Sequence, residues 1–308
     1  MTYVELLAVG DVEYSTLVTV KNFSTIVSNF EALDYYIEYS GNALVVAVGV
    51  NRLEIPTGIL GSIGRDPEGE KILKFLEKEN IDTSLLHVSK KSKTGYSLKI
   101  IDEKKDRIWT IRYPGANLDW PETLYNEDIL KMCRAIFVSG NALADKRRSL
   151  TLKILRKARD LQKTVFLDVG PILISRESGL LANLRSLVDY WLINEEQAME
   201  MLGTLSNSTI RYFIKRMELK AVIVKFDIEG LYVFEKSSAK KIPLNIDRKQ
   251  VVDKVGLEDA YNVGLIYGML NGYDVEGAAK IATLVAAYKL KGKGSLNLPP
   301  YEYLSSQL

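Results

Sequence analysis

A glycine followed closely by two acidic residues, at the start of a helical pattern, is the segment of this sequence best suited to chemistry. The apolar run at residues 251–255 leads through Gly256 into a helix predicted to reach about Asn271, with Glu258 and Asp259 in its first turn. Unpaired N–H groups at a helix start can bind an anion, and a carboxylate there can accept a proton from a hydroxyl group. Acidic residues also favour first turns because of the helix dipole, so this segment alone leaves a purely structural interpretation open.

The composition excludes several other kinds of site. The chain has 308 residues, enough for a large core, and its net charge of +2 gives no indication of a nucleic-acid partner. One cysteine (Cys133) allows no internal disulfide, and one histidine (His87) allows no histidine-rich metal site. Neither a membrane-spanning run nor the pattern of a signal peptide is found. We therefore expect a cytoplasmic protein with no membrane partner.

The rest of the chain alternates short apolar runs with longer helical patterns. Strands are predicted at residues 5–10, 57–62, 135–139, 164–168, 190–193 and 221–226. Helices are predicted at residues 44–53, 68–80, 146–162, 195–202, 209–217 and 257–271. This alternation indicates βαβ units and an α/β fold with a mainly parallel sheet. Ligands bind such sheets at the carboxyl ends of the strands.

Two segments depart from this alternation. Residues 12–39 and 93–113 are richer in Thr, Ser, Tyr and Val, and residues 97–101 and 107–113 form a predicted hairpin around the charged turn 102–106. Both segments are expected to form a small antiparallel sheet beside the main one. Such a sheet would serve either as a flap over a site or as an ordinary extension of the fold.

Several segments together resemble a known family. Residues 253–264 contain, in this spacing, Asp253, Lys254, Gly256, Leu257, Glu258, Asp259, Ala260, Tyr261 and Gly264. This is similar to the signature Asp-Thr-x-Gly-Ala-Gly-Asp-Ala-Phe-x-x-Gly of the ribokinase-like (PfkB) sugar and nucleoside kinases. Further segments of that family have counterparts in the expected order, at residues 61–70, 80–83, 113–117, 139–140, 168–171, 194–197 and 293–299.

The resemblance implies a fold and an activity. It implies one ribokinase-like three-layer α/β domain over residues 1–308, with a small β lid formed by about 12–40 and 93–113. It also implies transfer of the γ-phosphoryl group of ATP, with Mg²⁺, to a hydroxyl group of a sugar, sugar derivative or nucleoside. The lid is expected to exclude water and to mediate a homodimer.

The resemblance also assigns roles to individual residues. Asp259 matches the general base, and the main-chain N–H groups of Gly256, Leu257 and Glu258 match the anion hole. The residues expected to bind the nucleotide are Asn194, Lys225, Asp227, Gly230, Lys254 and Thr283. The residues expected to bind the acceptor are Ser15, Glu13, Gly41, Asn42 and Asp253.

Several positions depart from the family pattern where the chemistry is expected. Ser15 occupies the position of the sugar-binding aspartate, and Val45 that of a substrate-site asparagine, for which Asn42 is the candidate substitute. Gln197 replaces a glutamate that helps to order metal and water, and Asp227 replaces a glycine beside the nucleotide. The loss of the sugar-site aspartate and asparagine disfavours ribose and fructose as acceptors.

Glu258 is the most consequential departure, because a carboxylate would stand in the anion hole. At about 4 Å from a phosphate charge it costs about 4 kcal/mol at an effective dielectric constant of about 20, or about three orders of magnitude in rate. Three interpretations remain open. The side chain points away, Lys254 neutralises it, or the protein is a catalytically silent relative that binds a nucleotide or metabolite as a sensor or assembly partner.

Overall fold

The computed structural model describes residues 3–21, 23, 29–103, 108–170 and 180–308. Some positions used in the sequence analysis lie outside these residues. Residues 22, 24–28 and 104–107 belong to the predicted lid and its charged turn, and residue 171 is the proline of the segment 168–171.

A large, mostly parallel sheet forms the centre of the molecule. Its nine strands within the described residues follow the order β13-β12-β11-β10-β9-β8-β1-β4-β5. Neighbours from β11 to β5 pair in parallel, whereas β12 and β13 are antiparallel. The strands are β1 (Leu6–Val9), β4 (Thr57–Gly64), β5 (Asp82–Ser89), β8 (Ala135–Ser139), β9 (Thr164–Asp168), β10 (Tyr190–Asn194), β11 (Ala221–Lys225), β12 (Gly230–Glu235) and β13 (Ala239–Pro243).

Helices cover both faces of this sheet, because the strand side chains that point to each face are apolar. In β8, Phe137 packs into one core cluster with the helices on that face, and Ile136 and Val138 pack into the other. The first face carries α1 (Asn42–Arg52), α2 (Pro67–Lys78), α7 (Leu257–Leu270), α8 (Val275–Leu290) and α9 (Tyr301–Ser305). The second face carries α3 (Glu127–Met132), α4 (Arg148–Asp160), α5 (Glu195–Leu202) and α6 (Asn207–Met217). The predicted three-layer α/β fold is confirmed.

A second, smaller sheet has the strand order β3-β2-β6-β7. Strands β2 and β6 pair in parallel, and the outer pairs are antiparallel. Its strands are β2 (Glu13–Val20), β3 (Ala32–Ser40), β6 (Gly95–Asp102) and β7 (Ile108–Tyr113). The prediction of an antiparallel sheet is therefore wrong for its central pair.

Some of the elements missed by the sequence analysis have weak periodicity. Helix α8 is buried on most sides, so it lacks the polar stripe that identifies an amphipathic helix. Strand β13 lies at a sheet edge and carries Lys240 and Lys241 among its residues. In the described part of the chain, no helix is both long and apolar enough to cross a membrane.

A buried ion network joins the small sheet to the main sheet. Asp11, just after β1, accepts hydrogen bonds from Arg147 Nη1 (2.6 Å) and from Arg112 Nη2 (2.8 Å) in β7. Asn141 Nδ2 donates a third, at 2.7 Å, and Glu13 of β2 also pairs with Arg112. Although burial alone would raise it, the two guanidinium groups hold the pKa of Asp11 well below its ordinary value. The network fixes where β7 lies relative to β1.

Replacing Asp11 tests this network. We expect Asp11→Ala to lower the free energy of unfolding by about 3–5 kcal/mol, because the buried Arg147 and the half-buried Arg112 lose a shared partner. Urea denaturation followed by circular dichroism measures the change. The matched control is Glu5→Ala, which breaks a partly exposed pair with Arg134 and should cost less than about 1 kcal/mol. Equal losses in the two variants would contradict the proposed importance of the buried network.

Candidate active site

A cleft opens where the carboxyl ends of the central strands meet the N-terminus of α7 and the inner face of the small sheet. Its volume is about 910 Å³, which suits one or two small organic molecules. The lining residues are Asn42, Lys99, Ile108, Trp109, Thr110, Asn194, Glu195, Glu196, Lys225, Asp227, Lys254, Val255, Gly256, Leu257, Glu258, Asp259 and Tyr261.

Asp259 is a half-buried carboxylate in the first turn of α7, facing this cleft. Its Oδ1 accepts a hydrogen bond from Asn42 Nδ2 at 2.9 Å. Burial raises the pKa of Asp259 to about 7, and the nearby carboxylate of Asp168 acts in the same direction. A carboxyl group with a pKa close to neutral is well placed to exchange a proton with a substrate.

Gly256 caps the N-terminus of α7 in a left-handed conformation with φ of 79°. A Cβ atom at this position would lie 2.5 Å from Ser295 Cα, so both the torsion and the space favour glycine. The N–H group of Leu257 donates to the carbonyl of Lys254 at 3.1 Å, whereas those of Gly256 and Glu258 have no acceptor among the described residues. Two of the three N–H groups predicted for the anion hole are therefore unpaired.

The side chain of Glu258 is held away from these N–H groups. Its Oε1 accepts a hydrogen bond from Asn194 Nδ2 at 2.9 Å, and its Oε2 lies 3.4 Å from Lys225 Nζ. The interpretation in which Lys254 neutralises Glu258 is wrong, because Lys254 Nζ pairs with Asp227 Oδ2 at 2.7 Å. The main chain of Glu258 is helical and requires no glycine torsion.

Lys225 ends β11 and is almost fully buried, with its side chain 1% exposed. Its ammonium group lies 3.1 Å from Asp168 Oδ2 and 3.4 Å from Asn262 Oδ1. Asn262 also donates to Asp168 at 2.6 Å. Although burial acts to lower it, Asp168 and Glu258 keep the pKa of Lys225 above its ordinary value. A buried ammonium group thus lies among carboxylates below the start of α7.

Asn194 and Gln197 are engaged in capping α5. The side chain of Asn194 accepts a hydrogen bond from the N–H of Gln197 at 2.8 Å, and Gln197 Oε1 accepts one from the N–H of Asn194 at 3.2 Å. This reciprocal pair is a capping box. Gln197 is thereby a structural residue, while the Asn194 amide nitrogen remains directed at Glu258.

On the opposite side of the cleft, Gly41 sets the start of α1. It has φ of 98°, and a Cβ atom would lie only 2.3 Å from the carbonyl oxygen of Asp11. This tight turn makes Asn42 the first residue of α1 and brings it to Asp259. Lys99 of β6 lines the same region and lies 3.3 Å from Glu38 Oε1.

Three residues predicted to bind the acceptor have partners within the protein. The hydroxyl of Ser15 is buried and hydrogen-bonded to Ser40 and Ser97, and the carboxylate of Glu13 pairs with Arg112. Asp253 accepts hydrogen bonds from Tyr36 Oη (2.6 Å) and from the N–H groups of Gly294 (2.7 Å) and Val255 (2.8 Å). None of the three is among the cleft-lining residues.

The predicted nucleotide residues are divided between two places. Asp227, in a left-handed conformation with φ of 43°, and Lys254 line the cleft, and Gly230 begins β12 nearby in sequence. Thr283 instead lines a separate cavity between β13 and α8, and its hydroxyl donates to the carbonyl of Lys280. The structure therefore does not bring Thr283 together with Asp259.

Sequence reasoning missed Asp168 and Asn262 as partners of Lys225, and Lys99 as a lining residue. Asp168 ends β9 next to β10 in the sheet, so its position at the carboxyl edge was available from the strand pattern. Asn262 follows Glu258 by four residues and hence lies on the same helix face. Lys99 had no comparable signal, because its contact depends on how the two sheets pack.

Comparisons with known proteins agree with this geometry. The model of the pfkB family of carbohydrate kinases matches residues 5–300. An uncharacterised sugar kinase of Archaeoglobus fulgidus is 26% identical over 250 residues, covering 80% of this chain and 96% of that protein. A 5-dehydro-2-deoxygluconokinase of Bacillus licheniformis is 26% identical over 278 residues, covering 84% of this chain and 83% of that protein.

The fold is likewise shared with solved structures. The ribokinase of Cryptococcus neoformans in complex with ADP superposes with a TM-score of 0.85 at 17% identity, covering 99% of this chain and 100% of that chain. At this identity the likeness concerns the fold alone. The family match over almost the whole chain shows that the chain belongs to the pfkB family of carbohydrate kinases.

Proposed function

We propose that this carbohydrate kinase transfers the terminal phosphoryl group of ATP to a hydroxyl group of a sugar, sugar derivative or nucleoside, with Asp259 as the general base. The observation that carries the proposal is the position of Asp259. Its carboxylate faces the cleft at the N-terminus of α7, one residue after the unpaired N–H group of Glu258. A base and an anion site thus lie next to each other.

The reaction that fits this site is an in-line displacement at the γ-phosphorus. The acceptor oxygen forms a bond to phosphorus while the bond to the bridging oxygen of the leaving ADP breaks, and the hydroxyl proton passes to Asp259. Because this transition state is loose and highly charged, positioning and charge stabilisation supply most of the catalysis. The N–H groups of Gly256 and Glu258 would stabilise the transferred oxygens.

The acceptor is proposed to lie between Asn42, Lys99 and Asp259. Asn42 and Lys99 provide hydrogen-bond donors on the side of the cleft facing the small sheet. The relative named 5-dehydro-2-deoxygluconokinase supports a sugar-derived acceptor for this chain. The roles of Ser15, Glu13 and Asp253 as acceptor ligands remain predictions. To bind the acceptor, each side chain would have to break a hydrogen bond or ion pair within the protein.

The nucleotide is proposed to occupy the opposite end of the cleft, near Asn194, Asp227 and Lys254. Lys254 is suited to binding phosphates, and Gly230, with φ of 110°, shapes the turn before β12. Thr283 remains a prediction for the outer edge of this site.

The donor set of the cleft fits a magnesium ion that takes most of its ligands from nucleotide phosphates and water. In the described ranges, no group of three His, Cys, Asp or Glu residues could hold a metal by itself. The exposed carboxylates of Glu195 and Glu196 line the cleft and would hold the ion together with the phosphates. When bound, the ion neutralises charge on the phosphates.

The small sheet is proposed to act as the lid of one domain spanning residues 1–308, and as the contact of a homodimer. Its outward face is apolar and exposed on β3 and β7, where Ile37 is 50% and Ile111 62% exposed. This face carries Tyr35, Val18 and Ile100 in one row of neighbouring residues, and Ile37, Thr16, Leu98 and Ile111 in the next. A second copy of the same face would cover these residues.

The proposed role of Asp259 is tested with ADP release from Mg·ATP over a panel of sugars, sugar acids and nucleosides. One acceptor should support turnover, and Asp259→Asn should reduce kcat by about 10²–10⁴-fold, because the general base is lost. Wild-type kcat/KM should rise with pH to a plateau above about 7, as the base ionises.

The control for this experiment is Asp274→Asn, which alters an exposed capping carboxylate of α8 and should leave turnover unchanged. Full turnover by Asp259→Asn would contradict the mechanism. Saturable nucleotide binding without turnover on any acceptor would favour the catalytically silent alternative.

Asp259→Asn should also stabilise the protein above neutral pH. The pKa of Asp259 is raised from 3.8 to about 7 in the folded state, so ionisation opposes folding increasingly between these values and fully above them. The Tm difference between variant and wild type should therefore be clearly smaller at pH 5 than at pH 8, where it should reach several degrees. Differential scanning fluorimetry measures both. An equal difference at the two pH values would show that Asp259 carries no desolvated charge.

The proposed dimer is tested by light scattering after size-exclusion chromatography. The wild-type protein should elute as a dimer, and Ile111→Glu should convert it to a monomer, because a charge would be buried in the contact. Tyr212→Glu, at a 66% exposed position on α6, is the matched control and should remain dimeric. A wild-type monomer at all micromolar concentrations would refute the dimer.

A further inference from the structure

The ammonium group of Lys225 is almost enclosed and has acceptors on two different elements. Asp168 Oδ2, at the end of β9, lies 3.1 Å from Nζ, while Asn262 Oδ1 and Glu258 Oε2, both on α7, lie 3.4 Å away. An ammonium group has three N–H donors, and here three oxygen atoms lie within reach. With its side chain 1% exposed, Lys225 can offer little to a ligand except its charge.

One consequence concerns the direction of the Glu258 side chain. Lys225 and Asn194 together attract both carboxylate oxygens of Glu258 toward the ends of β10 and β11. The side chain is still 46% exposed, so packing alone does not confine it. Without the ammonium group, only the Asn194 hydrogen bond would oppose a rotation that brings a negative charge to the proposed phosphoryl site.

A second consequence concerns the ionisation of Asp259. The groups that act on this carboxyl come from several elements: Asn42 on α1, Asp168 on β9, Lys225 on β11 and Glu258 on α7. Two of them are carboxylates and oppose a further negative charge, whereas Lys225 is the cation among them. Removing its charge would leave Asp259 beside two carboxylates.

We propose that Lys225 is a positioning residue of the phosphoryl-transfer reaction: its buried charge keeps the Glu258 carboxylate away from the transferred phosphoryl group and keeps Asp259 available as a base. This inference rests on the proposed function. It differs from the expectation that Lys225 binds the nucleotide, because the contacts of its ammonium group are internal.

The test compares pH profiles of kcat/KM for the wild type and Lys225→Met, which replaces the ammonium group with an apolar end of similar length. We expect the midpoint to move upward by at least one pH unit and the rate at pH 7 to fall at least tenfold. Lys225→Met/Glu258→Gln should move the midpoint back toward the wild-type value, because one of the two carboxylates is then neutral. A purely structural role would leave the midpoints of all three proteins equal.

The matched control is Lys254→Met, which removes another lysine of the cleft that pairs with an acidic residue. Whatever its rate, its midpoint should stay at the wild-type value. If Lys225→Met does not fold, Asp168→Asn and Lys225→Met/Asp168→Asn are compared instead, since the double variant removes the ion pair as a unit. An unchanged midpoint in that comparison overturns the proposal.

A second readout does not depend on turnover. The pH above which the stabilisation by Asp259→Asn stops increasing reports the pKa of Asp259 in the folded protein. This upper limit should move to higher pH in the Lys225→Met background. If turnover is absent, or survives in Asp259→Asn, the proposed function fails, whereas an unshifted stability profile overturns the role of Lys225 alone.

Discussion

A lysine buried among carboxylates is the interaction on which the site depends. The ammonium group of Lys225 joins the end of β9, through Asp168, to the first turns of α7, through Glu258 and Asn262. Charged groups persist in such surroundings only when they are paired and hydrogen-bonded. The relative positions of β9, β11 and α7 therefore depend on the charge of Lys225. The same contacts fix the direction in which the N-terminus of α7 points.

The acceptor side of the cleft is fixed by contacts between the two sheets. Asp11 connects β1 to β7 through Arg112, and Asp253 connects the chain before α7 to β3 through Tyr36. These attachments lie at opposite ends of the small sheet's inner face. Because the Tyr36–Asp253 contact lies immediately before α7, a movement of the small sheet would shift the residues around Gly256.

Most of the fold follows from the sequence, because its strand and helix periods are distinct. Asp259 and Gly256 were also singled out from the sequence, because a glycine turn leading into an acidic first turn is a local signal and because this segment resembles the family signature. The Lys225–Glu258 contact was not, because it joins residues 33 positions apart through the packing of a helix on a sheet. For the same reason the sequence wrongly offered Lys254, a near neighbour along the chain, as the partner of Glu258.

The first turn of α7 uses main-chain and side-chain atoms for different purposes. The Leu257 side chain lies in the hydrophobic core, and that of Glu258 points toward Asn194, although the family signature has alanine and glycine at these two positions. Selection on such positions would act on packing and local charge rather than on the identity of a ligand. The residue types at positions 257 and 258 can therefore change in evolution while the main-chain N–H groups keep their positions. A mismatch to the signature at these positions is thus weak evidence for loss of activity.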